Sequence, residues 1–247
     1  ALPIYSFDIG FIAGGNKRNA IAREAVAVCL VQQTDRNAFT ELFQTMASEW
    51  KAEYKHTDPE LESTIALCDI PSTVMDKKTA TNLTASLYAC PHGVLAMSKD
   101  IPGLVETSTN LASVRMEQES RLIRIGSSQR SAVNSARKNA AQRIESLFRL
   151  AGAVVAHEGE YPGWAPNPES PVLKVCEEAY LKLFNTPAKV KAIHAGLECG
   201  IFLDAFPDLD MISIGPTLKG VHAPTERLEI ATVGKFWDLL LEIIKNV

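Results

Sequence analysis

His222 lies in the run GPTLKGVHAPTERLEI (residues 215–230), bracketed by Gly220 and Pro224 and followed by Glu226 and Glu229. A neutral imidazole in a loop after a strand can ligate a metal, and a nearby carboxylate can orient its other ring nitrogen. One histidine does not hold an ion, and His56, His92 and His157 complete no obvious set, so a plain loop histidine fits these residues equally. In KAIHAGLECG (191–200) an apolar run ends at His194 and a turn leads toward a helix. Backbone amides at such a turn bind anionic groups. Gly196 lets a ligand approach the main chain, and Glu198 can serve as acid, base or hydrogen-bond partner; a simple turn with a solvated glutamate is the other reading. Arg130, in SSQRSAVNS, has the forked guanidinium that clamps a carboxylate, or is a surface arginine near a helix start. Asn19, in GGNKRNAIAREA, can donate to a developing oxyanion or stabilise its own turn.

The totals limit what such residues can serve. The chain has 247 residues, 46% of them hydrophobic and 22% charged, with a formal net charge of −4. That length suffices for one large domain or two modest ones. Acids and bases are interspersed, so no basic face argues for nucleic acid. No run reaches the roughly eighteen apolar residues of a membrane span. The start, ALPIYSFDIG, has neither a basic region nor a long apolar stretch, and it begins almost in a strand without an initiator methionine, as a cut chain would. Cys29, Cys68, Cys90, Cys176 and Cys199 are odd in number and widely spaced. They form neither a disulfide framework nor a CxxC pattern and read as buried reduced thiols of a cytoplasmic protein.

The elements that must position these residues fall into two textures. IYSFDIGFIAGG and AIAREAVAVCLV read as neighbouring antiparallel strands around GGNKR. Asp35 caps a helix with Phe39, Leu42, Phe43, Met46, Ala47 and Trp50 on one stripe. A second helix spans 76–89, two strands meet at EQES, and a long helix over 132–150 stops at Gly152. This is an α+β layer, an antiparallel sheet with helices on one face. After Gly152, AVVAHEG, AKVKAIHAG and LDMISIGP read as short buried strands between helices, the pattern of a parallel α/β sheet. Three strands are too few for such a sheet, so this part reads as half a domain. YPGWAPNPESPV is a structural connection with Ser170 capping the next helix.

Taken in order, GGNKRNAIAREA, VETSTN, RSAVNS, EYPGWAPNPESPV, IHAGLECGIF, MISIGPTLKGVHAPTERLEI and VGKFW resemble the aminoacylhistidine dipeptidase family. These are two-zinc metallopeptidases related to aminoacylase and carnosinase. The resemblance covers essentially the whole chain, and IHAGLECG with the pattern IGPTxxGxHxPxE is its most specific part. It implies an α/β protein of two parts: residues 1–153 as a lid and dimerisation domain, its N-terminal part missing, and residues 154–247 as the C-terminal portion of the catalytic domain. It implies short dipeptide substrates, preferentially Xaa-His, hydrolysed by metal-activated water, two zinc ions per intact subunit, a homodimer through the lid, and a cytoplasmic location. His222 matches the last zinc ligand, Arg130 the arginine that binds the substrate's α-carboxylate, and Asn19 the lid asparagine at the substrate. Gly196 and Glu198 lie on the substrate-contacting loop.

The departures are as informative. The family's HxD motif, bridging aspartate, paired glutamates with the general base, and GGHSGG histidine have no counterpart in this sequence. Ala22 stands where a proline commonly follows NAI, and GSSQRS is less apolar than the usual strand before the arginine. A two-metal site needs about five ligands, and this chain offers one. The expectation is a fragment inactive alone; the alternative is a non-catalytic dimerisation module using an edge strand and the helices at 39–50 and 133–148.

Overall fold

The computed structural model describes residues 7–99, 101–117, 119–160, 162–164, 167, 169–191, 198–221 and 225–247, without the side chains of Glu198 and Asp204. The chain divides into two compact units. The first comprises Ala1–Gly93, Thr109–Ser128 and Gln142–Val155; the second comprises Val94–Ser108, Gln129–Ala141 and Ala156–Val247.

In the first unit, β1 (Phe7–Gly14) and β2 (Ala25–Val31) pair antiparallel from Phe7↔Val31 to Gly14↔Ala25, as their sequences predict. The register shifts between Ile9 and Phe11, which makes Gly10 a bulge. A Cβ on Gly10 would lie 2.6 Å from Cγ of Pro71, so the bulge is kept clear for the incoming chain. That chain is tied on by the Met75 N–H, which donates to Ile9 O at 2.8 Å. Helix α1 (Arg36–Glu53) half-buries Phe39, Leu42, Phe43, Met46 and Ala47 of the predicted stripe, but Trp50 at its end is exposed and Asp35, predicted as the cap, makes no side-chain cap bond. Asp76 caps α2 (Lys77–Ala89) by accepting from Thr79 N at 3.0 Å.

The sheet has the order β2-β1-β4-β3, where β3 is Gly93–Met97 and β4 is Val105–Glu117, and β5 (Leu122–Ser131) pairs with β4. Ile125 of β5 packs with Ile9, Met75 and Leu83 of one core cluster and with Ile144 and Phe148 of another. A strand side chain points to one face only. Helices α2 and α3 (Asn134–Leu150) therefore cover the same face, the α+β arrangement the sequence predicts. Helix α3 ends as Gly152 predicts: its φ is +88°, its N–H donates to Arg149 O and the N–H of Ala153 donates to Phe148 O, both at 2.9 Å. This pair of bonds is a Schellman cap.

In the second unit, α4 (Pro171–Phe184) and α6 (Val233–Ile244) bury Cys176, Ala179, Leu239 and Ile243 against each other, with Ile212 and Ile214 packed on that cluster. The described parts of the three runs predicted as parallel strands are not strands. A strand exists through a neighbour's ladder, and among the described residues these runs have none; Ile212 and Ile214 instead contribute side chains to the helical core. The outer side of α6 leaves Trp237, Leu241 and Ile244 exposed.

The cysteine reading holds for Cys90 and Cys176, which are buried, so that loss of solvation pushes both thiols up from their ordinary pKa. Cys68 is exposed, against that reading. Among the described residues no helix is long and apolar enough to cross a membrane.

Ser170 caps α4 as predicted, accepting from Leu173 N at 3.1 Å. Asp210 adds to that cap: its Oδ2 accepts from Val172 N and from Ser170 Oγ, both at 2.9 Å. The Val172 N–H first and the Ser170 hydroxyl second hold the Asp210 carboxyl below its ordinary pKa. A carboxylate with a lowered folded-state pKa stabilises above its unfolded value and loses that contribution as pH falls through the folded one. Asp210→Ala therefore lowers the melting temperature at pH 7, and the gap to wild type closes below about pH 4; thermal melts across pH 2–7 check this, and a pH-independent gap contradicts it.

Candidate functional site

Asn19 lies in the exposed turn between β1 and β2, in the first unit. Burial does not hold this turn, so hydrogen bonds and close contacts with β4 must. Gly15 has φ +64°, and a Cβ there would lie 2.0 Å from Ala112 O, so only glycine fits. The Gly15 N–H donates to Glu24 O at 3.1 Å, closing the loop. Arg115 donates to Asn16 O at 3.0 Å, and the Asn110 amide donates to Arg18 O at 3.4 Å and Ala20 O at 2.8 Å.

Arg130 is the next-to-last residue of β5, half-buried, in the second unit. Among the described residues its guanidinium has no ion-pair partner. The strand end around it is registered by the buried pair Thr107 Oγ1 and Ser131 Oγ, 2.9 Å apart, and by the Ala132 N–H donating to Glu106 O at 3.1 Å.

The segment 162–164 lies against this strand end. A Cβ on Gly163 would lie 2.4 Å from Ser131 O and 2.7 Å from Ala132 O, and the Gly163 N–H donates to Asn134 Oδ1 at 2.9 Å. Pro162 O in turn would lie 2.4 Å from a Cβ on Gly200, in α5 (Glu198–Ala205). Two glycines thus let three stretches of backbone meet, and they bring the end of Arg130's strand and the first turn of Glu198's helix onto the same short connection. Arg137, one turn after Asn134, reaches Glu160 at 3.5 Å.

The loop of His222 is closed by a short hairpin, β6 (Leu218–Lys219) and β7 (Arg227–Leu228), with Gly220 at φ +66°. His222 and Gly196 lie outside the described residues. Glu229, considered as a carboxylate partner for His222, is in an ion pair with Lys219 at 2.9 Å. Among the described residues no three His, Cys, Asp or Glu side chains come together to hold a metal ion.

No protein-family model matches the chain. The cytosol non-specific dipeptidase of Escherichia coli (strain K12) is 37% identical over 239 residues, 95% of this chain and 48% of that protein. The crystal structure of aminoacylhistidine dipeptidase from Vibrio alginolyticus superposes with a TM-score of 0.86 at 31% identity, covering 98% of this chain and 49% of the other. In sequence and in fold, this chain is related to aminoacylhistidine dipeptidase. The chain spans about half the length of these relatives. Aminopeptidase PepT from Bacillus cereus shares the fold at a TM-score of 0.53 and 18% identity, over 67% of this chain and 44% of its own length.

Residue types alone do not single out Asn110, Asn134, Gly163 or Asp210. For Asn110 a signal exists: asparagine is disfavoured inside a strand, yet it stands within the 13 residues of β4. Gly163 is the most easily tested of these positions. Gly163→Ala forces a methyl into two carbonyl oxygens, so stability falls by about 1–3 kcal/mol in urea titrations. In a background with Trp50 and Trp237 replaced by Phe, Trp164 emission shifts red; unchanged emission contradicts the contact.

Proposed function

We propose that this chain is the substrate-gripping half of a zinc dipeptidase that cleaves Xaa-His and other short dipeptides. Its relatives are a dipeptidase and an aminoacylhistidine dipeptidase, matched over about half their length. In this reading residues 1–153 form a lid and dimerisation domain, and residues 154–247 form the C-terminal portion of the catalytic domain. The exposed apolar side of α6 supports that division, since half of a domain leaves uncovered what the other half buries. Edge strand β2, last in the sheet order and exposing Val26 and Leu30, supports association of two copies through the lid.

The observation that carries the reading is the close-packed junction of Ser131, Gly163 and Gly200, beside which Arg130 has no ion-pair partner among the described residues. Arg130 binds the dipeptide's α-carboxylate in bidentate fashion. Asn19 donates a hydrogen bond to the carbonyl oxygen as it gains charge. Gly196 and Glu198 line the substrate, and His222 supplies one zinc ligand. The general-base glutamate and the remaining ligands belong to the length of the relatives that this chain does not span. The chain alone is therefore inactive, and it works in the cytoplasm as part of a homodimer.

Removing the free carboxylate tests the assignment of Arg130. A hydrogen-bonded charge contributes about 1.5–3 kcal/mol, so glycyl-histidine binds roughly 10–150-fold more tightly than glycyl-histidinamide. Arg130→Ala removes that preference. Equal affinity for the two ligands in the unaltered protein, measured by NMR titration, overturns the assignment.

A further inference from the structure

We propose that Asn110 is a positioning residue for Asn19: its one side-chain amide grips the carbonyls on either side of Asn19 and fixes the backbone from which Asn19 reaches substrate. This rests on the reading of Asn19 as a substrate-binding group.

The geometry is specific. Asn110 Nδ2 donates to Ala20 O at 2.8 Å and to Arg18 O at 3.4 Å, so the two bonds straddle Asn19. Carbonyl oxygens only accept, which fixes the NH2 end toward the loop. Asn110 Oδ1 is then left buried with no hydrogen-bond partner. A buried unsatisfied acceptor is unfavourable, and asparagine is a poor strand residue. A strand chosen only for its own stability would carry valine or threonine at this position. What asparagine adds is an amide with two hydrogens, matched to two carbonyls.

The rest of the loop leaves that task to Asn110. Gly15 and Arg115 hold its entry, through Ala112 O and Asn16 O, and the Ala20 N–H makes only a 3.3 Å bond to Lys17 O. Residues 16–24 are exposed, so no apolar burial orders the tip.

Asn110→Asp tests the clasp, because it keeps size and shape and removes both donors. At pH 7 its carboxylate faces two carbonyls, and amide exchange over residues 17–22 rises roughly tenfold or more over wild type, while protection of Ile144 and Phe148 in the core is unchanged. Below about pH 4 the protonated carboxyl regains one donor, and part of the loop's protection relative to wild type returns. Asn110→Ala loosens the loop at every pH, a difference that simple packing does not produce. With glycyl-histidine as the probe, the Asn19 side-chain amide shifts in the wild type, and Asn110→Asp weakens binding about tenfold at pH 7. Unchanged exchange in Asn110→Asp overturns the clasp. A released loop with unchanged glycyl-histidine affinity overturns the positioning role. A released loop in the variant, together with an Asn19 amide that glycyl-histidine leaves unmoved in the wild type, supports the clasp and overturns the substrate reading of Asn19 instead.

Discussion

Strand β4 has to satisfy hydrogen-bonding groups on both of its edges, and much of the structure follows from how it does so. It pairs with β1, β3 and β5 and buries Thr107, Thr109, Ala112 and Val114. Backbone groups in such a place must find protein partners. Buried hydroxyls must do so too, and Thr107 meets Ser131. That pair registers the end of β5, where Arg130 stands. Farther along β4, Ala112 O admits only a glycine opposite it, and Asn110 and Arg115 turn polar side chains onto the Gly15–Glu24 loop. Within each unit, a residue read as chemical is attached to this strand by polar contacts rather than by apolar burial.

Glycine does the complementary work. At Gly15, Gly163 and Gly200 a methyl group would fall 2.0–2.4 Å from a backbone oxygen. These are close approaches of main chain to main chain, and they place loops against strand and helix ends where side chains would hold them apart. Residues 162–164, which read in the sequence as a connection, are in the structure the junction between the end of β5 and α5.

How much of this the sequence disclosed depends on the kind of signal. The α1 stripe, the helix over 76–89, the Ser170 cap, the Gly152 stop and the β1–β2 pairing were legible because each rests on local spacing or a local cap. The runs at 153–159, 188–196 and 209–216, expected as parallel strands, form no strand among the described residues, because a strand needs partners that no local pattern supplies. Arg130 and Asn19 were visible as residue types with a possible use; their supports, Asn110, Ser131 and Gly163, act over separations of 24 to 90 residues and leave no periodic trace. Asp210 was hidden for the same reason: it caps a helix that begins 39 residues earlier.

The most direct test of the division between grip and metal chemistry is zinc content and Xaa-His hydrolysis, measured together on the purified 26.9 kDa chain. The proposed division predicts no stoichiometric zinc after gel filtration and no hydrolysis of glycyl-histidine, with the free acid still distinguished from its amide. About two tightly held zinc ions per chain, with turnover, would contradict that division and place a complete active centre within these 247 residues.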